Sequence, residues 1–206
     1  MQITTLDIIR TARSWLRTPF HHQGRVKGAG VDCIGLIVGV IDELNLAENT
    51  VFIFTSDNGG VGGYAREGII AAGDVNATDI TDNAPLRSGK GSLYEGGTRV
   101  PFMVRWPGRF KAGASCDVPA IHVDLYPTLV ELAGGKMPIT QVFDGESLVP
   151  QFRNVDTRLK RDAFFQHFPG YSGAGIDQWR TTPVSLVRVG DWKLMEYLED
   201  GRLELY

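Results

Sequence analysis

Residues 50–60, Thr50-Val51-Phe52-Ile53-Phe54-Thr55-Ser56-Asp57-Asn58-Gly59-Gly60, decide how the rest of the chain is read. Residues 50–54 are a β-branched and aromatic run, which predicts a buried strand. The run stops at Thr55-Ser56-Asp57-Asn58 and a pair of glycines. In an open α/β sheet, ligands gather beyond the carboxyl ends of the strands. The run therefore carries Asp57 and Asn58 to the place where chemistry is usually done. Carboxylate and amide oxygens are hard donors suited to Ca²⁺ or Mg²⁺. On these residues alone, Asp-Asn-Gly reads first as a turn that merely ends a strand.

Composition sets the limits around this stretch. A chain of 206 residues has room for one ordinary domain, or a domain and a small appendage, and 43% hydrophobic residues are enough for a core. A net charge of −3 argues against a nucleic-acid binder that works mainly by electrostatics. The two cysteines, Cys33 and Cys116, make neither a disulfide framework nor a thiolate metal site. No segment is apolar for long enough to predict a membrane span, and residues 1–15 lack the pattern of a secretory signal. That leaves the cytoplasm as the default expectation.

Upstream, Leu6, Ile9, Ala12, Trp15 and Leu16 recur at helical spacing and predict a helix over about 5–17. Thr4 or Thr5 can cap it, with Asp7 in the first turn and Pro19 forcing the end. A loop with His21, His22 and three glycines follows, and Asp32 is the expected N-cap of an apolar helix that opens with Cys33. First-turn amides and the helix dipole favour a thiolate, so Cys33 is placed as a nucleophile would be. It also reads as a small residue buried among aliphatics.

Here the residues resemble known families. Residues 15–40, WLRTPFHHQGRVKGAGVDCIGLIVGV, resemble the start of an NlpC/P60 cysteine peptidase, and that likeness covers about residues 8–44. It implies that Cys33 attacks a cell-wall peptide with help from a later histidine and a third polar residue. His21 and His22 precede the cysteine, in the wrong chain order for that base. A longer stretch, about 40–206, resembles the later portion of a sulfatase of the alkaline-phosphatase-like superfamily. ELNLAENTVFIFTSDNGG, NAPLRSGKGSLYEGGTRVPFMVRWPG, HVDLYPTLVELAGG, DGESLVPQF and VRVGDWKLMEYLEDGRLELY carry it, in the family's order. Since both likenesses share Val38–Leu46, the chain reads as a chimera joined inside that helix.

The sulfatase resemblance implies an α/β fold, a partial alkaline-phosphatase-like sheet with helices plus a small C-terminal antiparallel subdomain. The expected divisions are 1–44, 45–150 and 151–206. It implies Ca²⁺ held by Asp57 and Asn58, and a sulfate ester or similar small anion met by Lys90. Independently, the glycine-flanked basic stretch Arg87–Ser92 lets backbone and cation approach an anion. His167, in AFFQHF, is a weaker candidate for the pocket rim. Glu95 and Arg99 read as a pair bracing a turn, and Asp124 as the cap of a helix over about 125–133 that Gly134 and Gly135 stop. His122, just ahead of that cap, reads as packed or hydrogen-bonded. The run Asp156–Arg161 reads as a charged surface, residues 61–82 as a long surface loop, and Cys116 as inert.

Sulfatases use a hydrated formylglycine made from Cys or Ser in a C/S-x-P-x-R frame, and no residue of this chain has that frame. The resemblance therefore implies a sulfuric ester hydrolase by descent, with weak Ca²⁺ binding and no catalysis by this chain alone. A parallel sheet without its earlier strands would expose an apolar edge and self-associate. Full-length sulfatases are often exported, which competes with the cytoplasmic default. Cys33, lacking a downstream base, is expected to react slowly with iodoacetamide at neutral pH. Labelling much faster than that of a free thiol would restore the peptidase reading.

Overall fold

The computed structural model describes residues 3–62, 81–175 and 178–206. The loop expected over 61–82 therefore lies almost wholly outside the described residues. The chain divides into two compact units: residues 1–53 with 104–114, and residues 54–103 with 115–206.

In the first unit, α1 (Thr5–Arg13) is closed by a reciprocal cap. The Asp7 amide donates to Thr4 Oγ1, and the Asp7 carboxylate accepts from the Thr4 amide at 2.9 Å. The helix ends four residues earlier than periodicity predicts, because the chain turns at Ser14 to bury Trp15. The short strands β1 (Arg25–Val26) and β2 (Gly30–Val31) pair antiparallel. They lead to α2 (Cys33–Glu43), whose N-cap is Asp32, accepting from the Gly35 amide at 2.6 Å. That bond leads the causes that hold the Asp32 carboxyl below its ordinary range.

Strand β3 (Phe52–Thr55) is only half-buried, with Phe54 exposed, where a buried strand was expected. Among the described residues its sheet has just one other member, β4 (Phe102–Arg105). Between them lies a single helical turn, α3 (Glu95–Thr98).

In the second unit, a 3-10 turn, His122–Asp124, leads into α4 (Leu125–Leu132), which Gly134 ends in the left-handed region at φ +69°. Asp124 does more than cap. Its fully buried carboxylate receives both arms of Arg161 (Nη1 2.8 Å, Nη2 2.6 Å) and the amides of Ile121 and Glu146, each at 2.9 Å. Its carbonyl accepts from Thr128 Oγ1, which in turn accepts from the Leu148 amide. The charged run Asp156–Arg161 is thus not wholly surface, since the partly buried Arg161 is the counter-ion of Asp124. Helix α5 (Val149–Arg153) follows this node.

The C-terminal portion is an antiparallel sheet in the order β10-β9-β8-β5, built from β5 (Ala163–Phe168), β8 (Val184–Val189), β9 (Trp192–Tyr197) and β10 (Leu203–Leu205). A separate hairpin, β6 (Ser172–Gly175) and β7 (Gln178–Thr181), is inserted after β5. Strict alternation turns Val184, Leu186, Met195 and Tyr197 inward, onto Leu93, Tyr94 and Phe168. Of the β5 aromatics, Phe164 and Phe168 are partly covered, whereas Phe165 is 75% exposed. The arrangement is the expected α/β fold with a small antiparallel sheet at its C-terminal end.

Asp124→Ala leaves the Arg161 guanidinium buried without its counter-ion, and such losses cost about 3–5 kcal/mol. Urea unfolding should show a destabilisation of that size. A loss under about 1 kcal/mol would mean that the pair adds little beyond its own desolvation cost.

Candidate functional site

The turn after β3 and the loop before α3 are joined through their backbones. The Gly59 amide donates to the Gly97 carbonyl at 2.9 Å, the Lys90 amide to Gly60 at 3.0 Å, and the Gly96 amide to Arg87 at 2.7 Å. Such close approach leaves no room for side chains. A β-carbon on Gly59 would collide with the Gly96 carbonyl, and one on Gly96 with the carbonyls of Arg87 and Ser88.

Asn83 bolts the two segments together. Its Oδ1 accepts from the Gly60 amide at 3.1 Å, while Nδ2 donates to Gly60 at 2.9 Å and to Ser88 at 3.1 Å. Ser88 itself is buried with φ +63°, a left-handed backbone that a non-glycine residue holds only when its surroundings impose it.

Within the turn, Ser56 Oγ donates to the Asn58 carbonyl at 2.7 Å, and Asn58 Nδ2 donates to Gly59 at 3.1 Å. The Asn58 side-chain oxygen takes no part in that bond. His122 Nε2 donates to the Ser56 carbonyl at 3.1 Å, one residue before Asp57. Asp57 and Lys90 are both exposed. The Lys90 amide is therefore tied to Gly60, two residues after Asn58, and His122 reaches Ser56, one residue before Asp57. His167 goes elsewhere: it is exposed on β5, with Nδ1 at 2.9 Å from Ser185 Oγ.

A second set of contacts seats the Lys90 loop on the C-terminal sheet. Arg87 stacks over the Tyr94 ring at 3.9 Å and also reaches the Tyr206 hydroxyl. The Tyr197 hydroxyl donates to that of Tyr94 at 2.9 Å, and Tyr94 donates to Glu204 at 2.8 Å. Burial, reinforced by these bonds, pushes the Tyr94 phenol well above its usual range. Burial alone would raise the Glu204 carboxyl, but hydrogen bonds from Tyr206 and Tyr94 and the charge of Arg202 hold it low. Glu95 pairs with the buried Lys193 at 3.0 Å, not with the exposed Arg99. Desolvation draws the Lys193 ammonium below its ordinary value, opposed by Glu95.

Cys33 is exposed at the first turn of α2. In its own unit, His21 turns Nδ1 to the carbonyl of His22 and not to the thiol. The concavity lined by Glu48, Pro107, Gly108 and Arg109 contains no predicted site residue. Asp57 and Asn58 offer only two ligand side chains, and the described residues hold no group of three or more His, Cys, Asp or Glu able to bind a metal. A hard cation such as Ca²⁺ wants six to eight oxygens, so these residues do not by themselves fit one. No helix among the described residues is long and apolar enough to cross a membrane.

The backbone weld lies inside a recognised family segment. The sulfatase family model matches residues 32–135, and that of N-sulphoglucosamine sulphohydrolase, C-terminal, matches 89–206. The chain belongs to the sulfatase family. It is 34% identical over 190 residues to a sulfatase of Formosa agariphila, covering 84% of this chain and 31% of that protein. It is 33% identical over 141 residues to human steryl-sulfatase, covering 68% of this chain and 23% of that protein. The chain thus spans no more than a third of these relatives.

Among solved structures, Ps i-CgsB in complex with k-i-k-neocarrahexaose superposes with TM-score 0.60 and 26% identity, over 100% of this chain and 40% of that one. BT4656, in complex with its substrate D-glucosamine-2-N,6-O-disulfate, superposes with TM-score 0.62 and 24% identity, over 84% of this chain and 30% of that one, and shows the fold. The family match begins at Asp32 and takes in Cys33 and all of α2. The join expected within Val38–Leu46 therefore falls inside a single matched segment, and the chimeric reading has no support.

Two contributors escaped the sequence reading. Asn83 lies in the quoted NAPLRSGKG block but carries no motif of its own, and the Ser56 contact of His122 spans 66 residues. Asn83→Ala should lower stability by about 2 kcal/mol, because it strips partners from Gly60 and Ser88 at once. An unchanged urea midpoint would show that the backbone bonds hold the loop without it.

Proposed function

We propose that this chain carries the cation-facing and anion-facing later portion of a sulfuric ester hydrolase acting on aryl or carbohydrate sulfates. Asp57 and Asn58 face the cation position, and Lys90 faces the sulfate oxygens. The observation that supports this most is the bond from the Lys90 amide to Gly60, which ties the basic loop to the Asp57–Asn58 turn. The neocarrahexaose named for Ps i-CgsB, a sugar, favours a carbohydrate over an aryl substrate.

Lys90 supplies a compact positive charge on a glycine-flanked loop, suited to hold an anion against backbone amides. Charge stabilisation of this kind does not replace a nucleophile, and the sequence has no residue in the C/S-x-P-x-R frame. We therefore assign the chain anion binding and no turnover alone. The peptidase alternative through Cys33 finds no supporting observation.

Calorimetric titration of the purified chain should show weak sulfate binding that Lys90→Ala abolishes. Calcium binding should be millimolar at best, on the order of the weakest calcium modules. Incubation with 4-nitrophenyl sulfate should release no phenol. Sulfate binding unchanged by Lys90→Ala would remove its role. Calcium-dependent hydrolysis lost in both Asp57→Ala and Lys90→Ala would overturn the assignment of an inactive chain.

A further inference from the structure

Asn58 is the one asparagine of the sequence that a glycine follows. That pairing carries chemistry of its own. With no side chain on Gly59 to shield it, the Gly59 nitrogen can attack the Asn58 side-chain amide. The nitrogen gives its proton to a base and bonds to Asn58 Cγ. Nδ2 takes up a proton and leaves as ammonia, which closes a succinimide ring. Water then opens the ring at either carbonyl, and residue 58 becomes aspartate or isoaspartate.

The weld opposes the first step. The Gly59 amide donates to the Gly97 carbonyl at 2.9 Å, so its proton faces that oxygen and not a base in solvent. Gly59 is buried, and the space at its α-carbon is filled by the Gly96 carbonyl and the Gly97 α-carbon. Asn58 is held as well: its carbonyl accepts from Ser56 Oγ at 2.7 Å, and its Nδ2 donates to the Gly59 carbonyl at 3.1 Å. Loss of Nδ2 as ammonia gives up the second of these bonds. All of these contacts are internal, between the turn after β3 and α3, and none depends on what covers the outer surface.

We propose that Asn58 is a latent deamidation site, which the Gly59–Gly97 contact keeps closed and which reacts when the weld opens. The reaction runs one way. Either product lacks the Nδ2 donor that Asn58 gives to Gly59. An aspartate there sets a negative oxygen against the Gly59 carbonyl and a second carboxylate next to Asp57. An isoaspartate lengthens the main chain by a methylene just ahead of Gly59, where the approach to Gly96 has no slack. A chain that has reacted does not re-form the weld as it was.

One opening frees the Gly59 N–H both for hydrogen exchange and for attack, so the two rates are tied. Peptide mapping by mass spectrometry, after incubation of the full chain in mildly alkaline buffer, reads the conversion at Asn58. In the folded chain it should run at least about tenfold slower than in the urea-unfolded chain, by a factor that matches the slowing of Gly59 amide exchange. Asn83→Ala, which removes the side chain bonded to Gly60 and Ser88, should speed both in the folded chain and leave the rate in urea unchanged. A folded-state conversion as fast as that in urea would overturn the proposal. So would slow conversion beside an unprotected Gly59 amide, which would place the protection in the Asn58 side chain alone. In Asn83→Ala, faster Gly59 exchange without faster conversion would overturn it as well.

Discussion

The structure around the candidate site depends on the close approach of two glycine-bearing backbones. Gly59 and Gly60 on one side, and Gly96 and Gly97 on the other, come near enough that amides and carbonyls bond directly. A side chain at Gly59 would force the segments apart, and one at Gly96 would push α3 off the Arg87–Ser88 stretch. Everything the site could do follows from that contact. It sets where the Asp57–Asn58 turn ends, and where the Lys90 loop begins.

Around the weld, buried polar groups do the holding that a large apolar core would do elsewhere. Asp124 and Arg161 tie α4 to the segments at residues 146–148 and 161, and His122 leaves that node to reach Ser56. On the other side, Lys193 and Glu95 anchor α3, and Tyr94 links Arg87 to Glu204. Each of these groups is costly to strand without its partner. They make the Lys90 loop one piece with the C-terminal sheet.

Local elements were largely legible in the residues. The run Ala163–Phe168, the hairpin about Gly190-Asp191 and the stop at Gly134 follow from alternation and turn chemistry, which act over a few residues. Partner choice was not legible. Glu95 and Arg99 are one helical turn apart, yet Glu95 turns to Lys193, 98 positions away. Arg161 sits in a run that looks solvated and is instead the counter-ion of a buried carboxylate. The burial of β3 was overestimated because hydrophobicity reports a preference for cover and not whether neighbouring strands are there to give it. The peptidase likeness of residues 8–44 shares its last part, from Asp32 onward, with the sulfatase match. Only the longer match from Asp32 onward sets the family.

The central claim is that the Asp57–Asn58 turn and the Lys90 loop behave as one welded unit. Native-state amide hydrogen exchange tests it directly, residue by residue, at Gly59, Lys90 and Gly96. The account predicts that these amides exchange together, with a protection that matches the opening of the C-terminal sheet strands. Rapid exchange at Lys90 while Gly59 and Gly96 stay protected would show that the basic loop opens on its own, and would contradict the account.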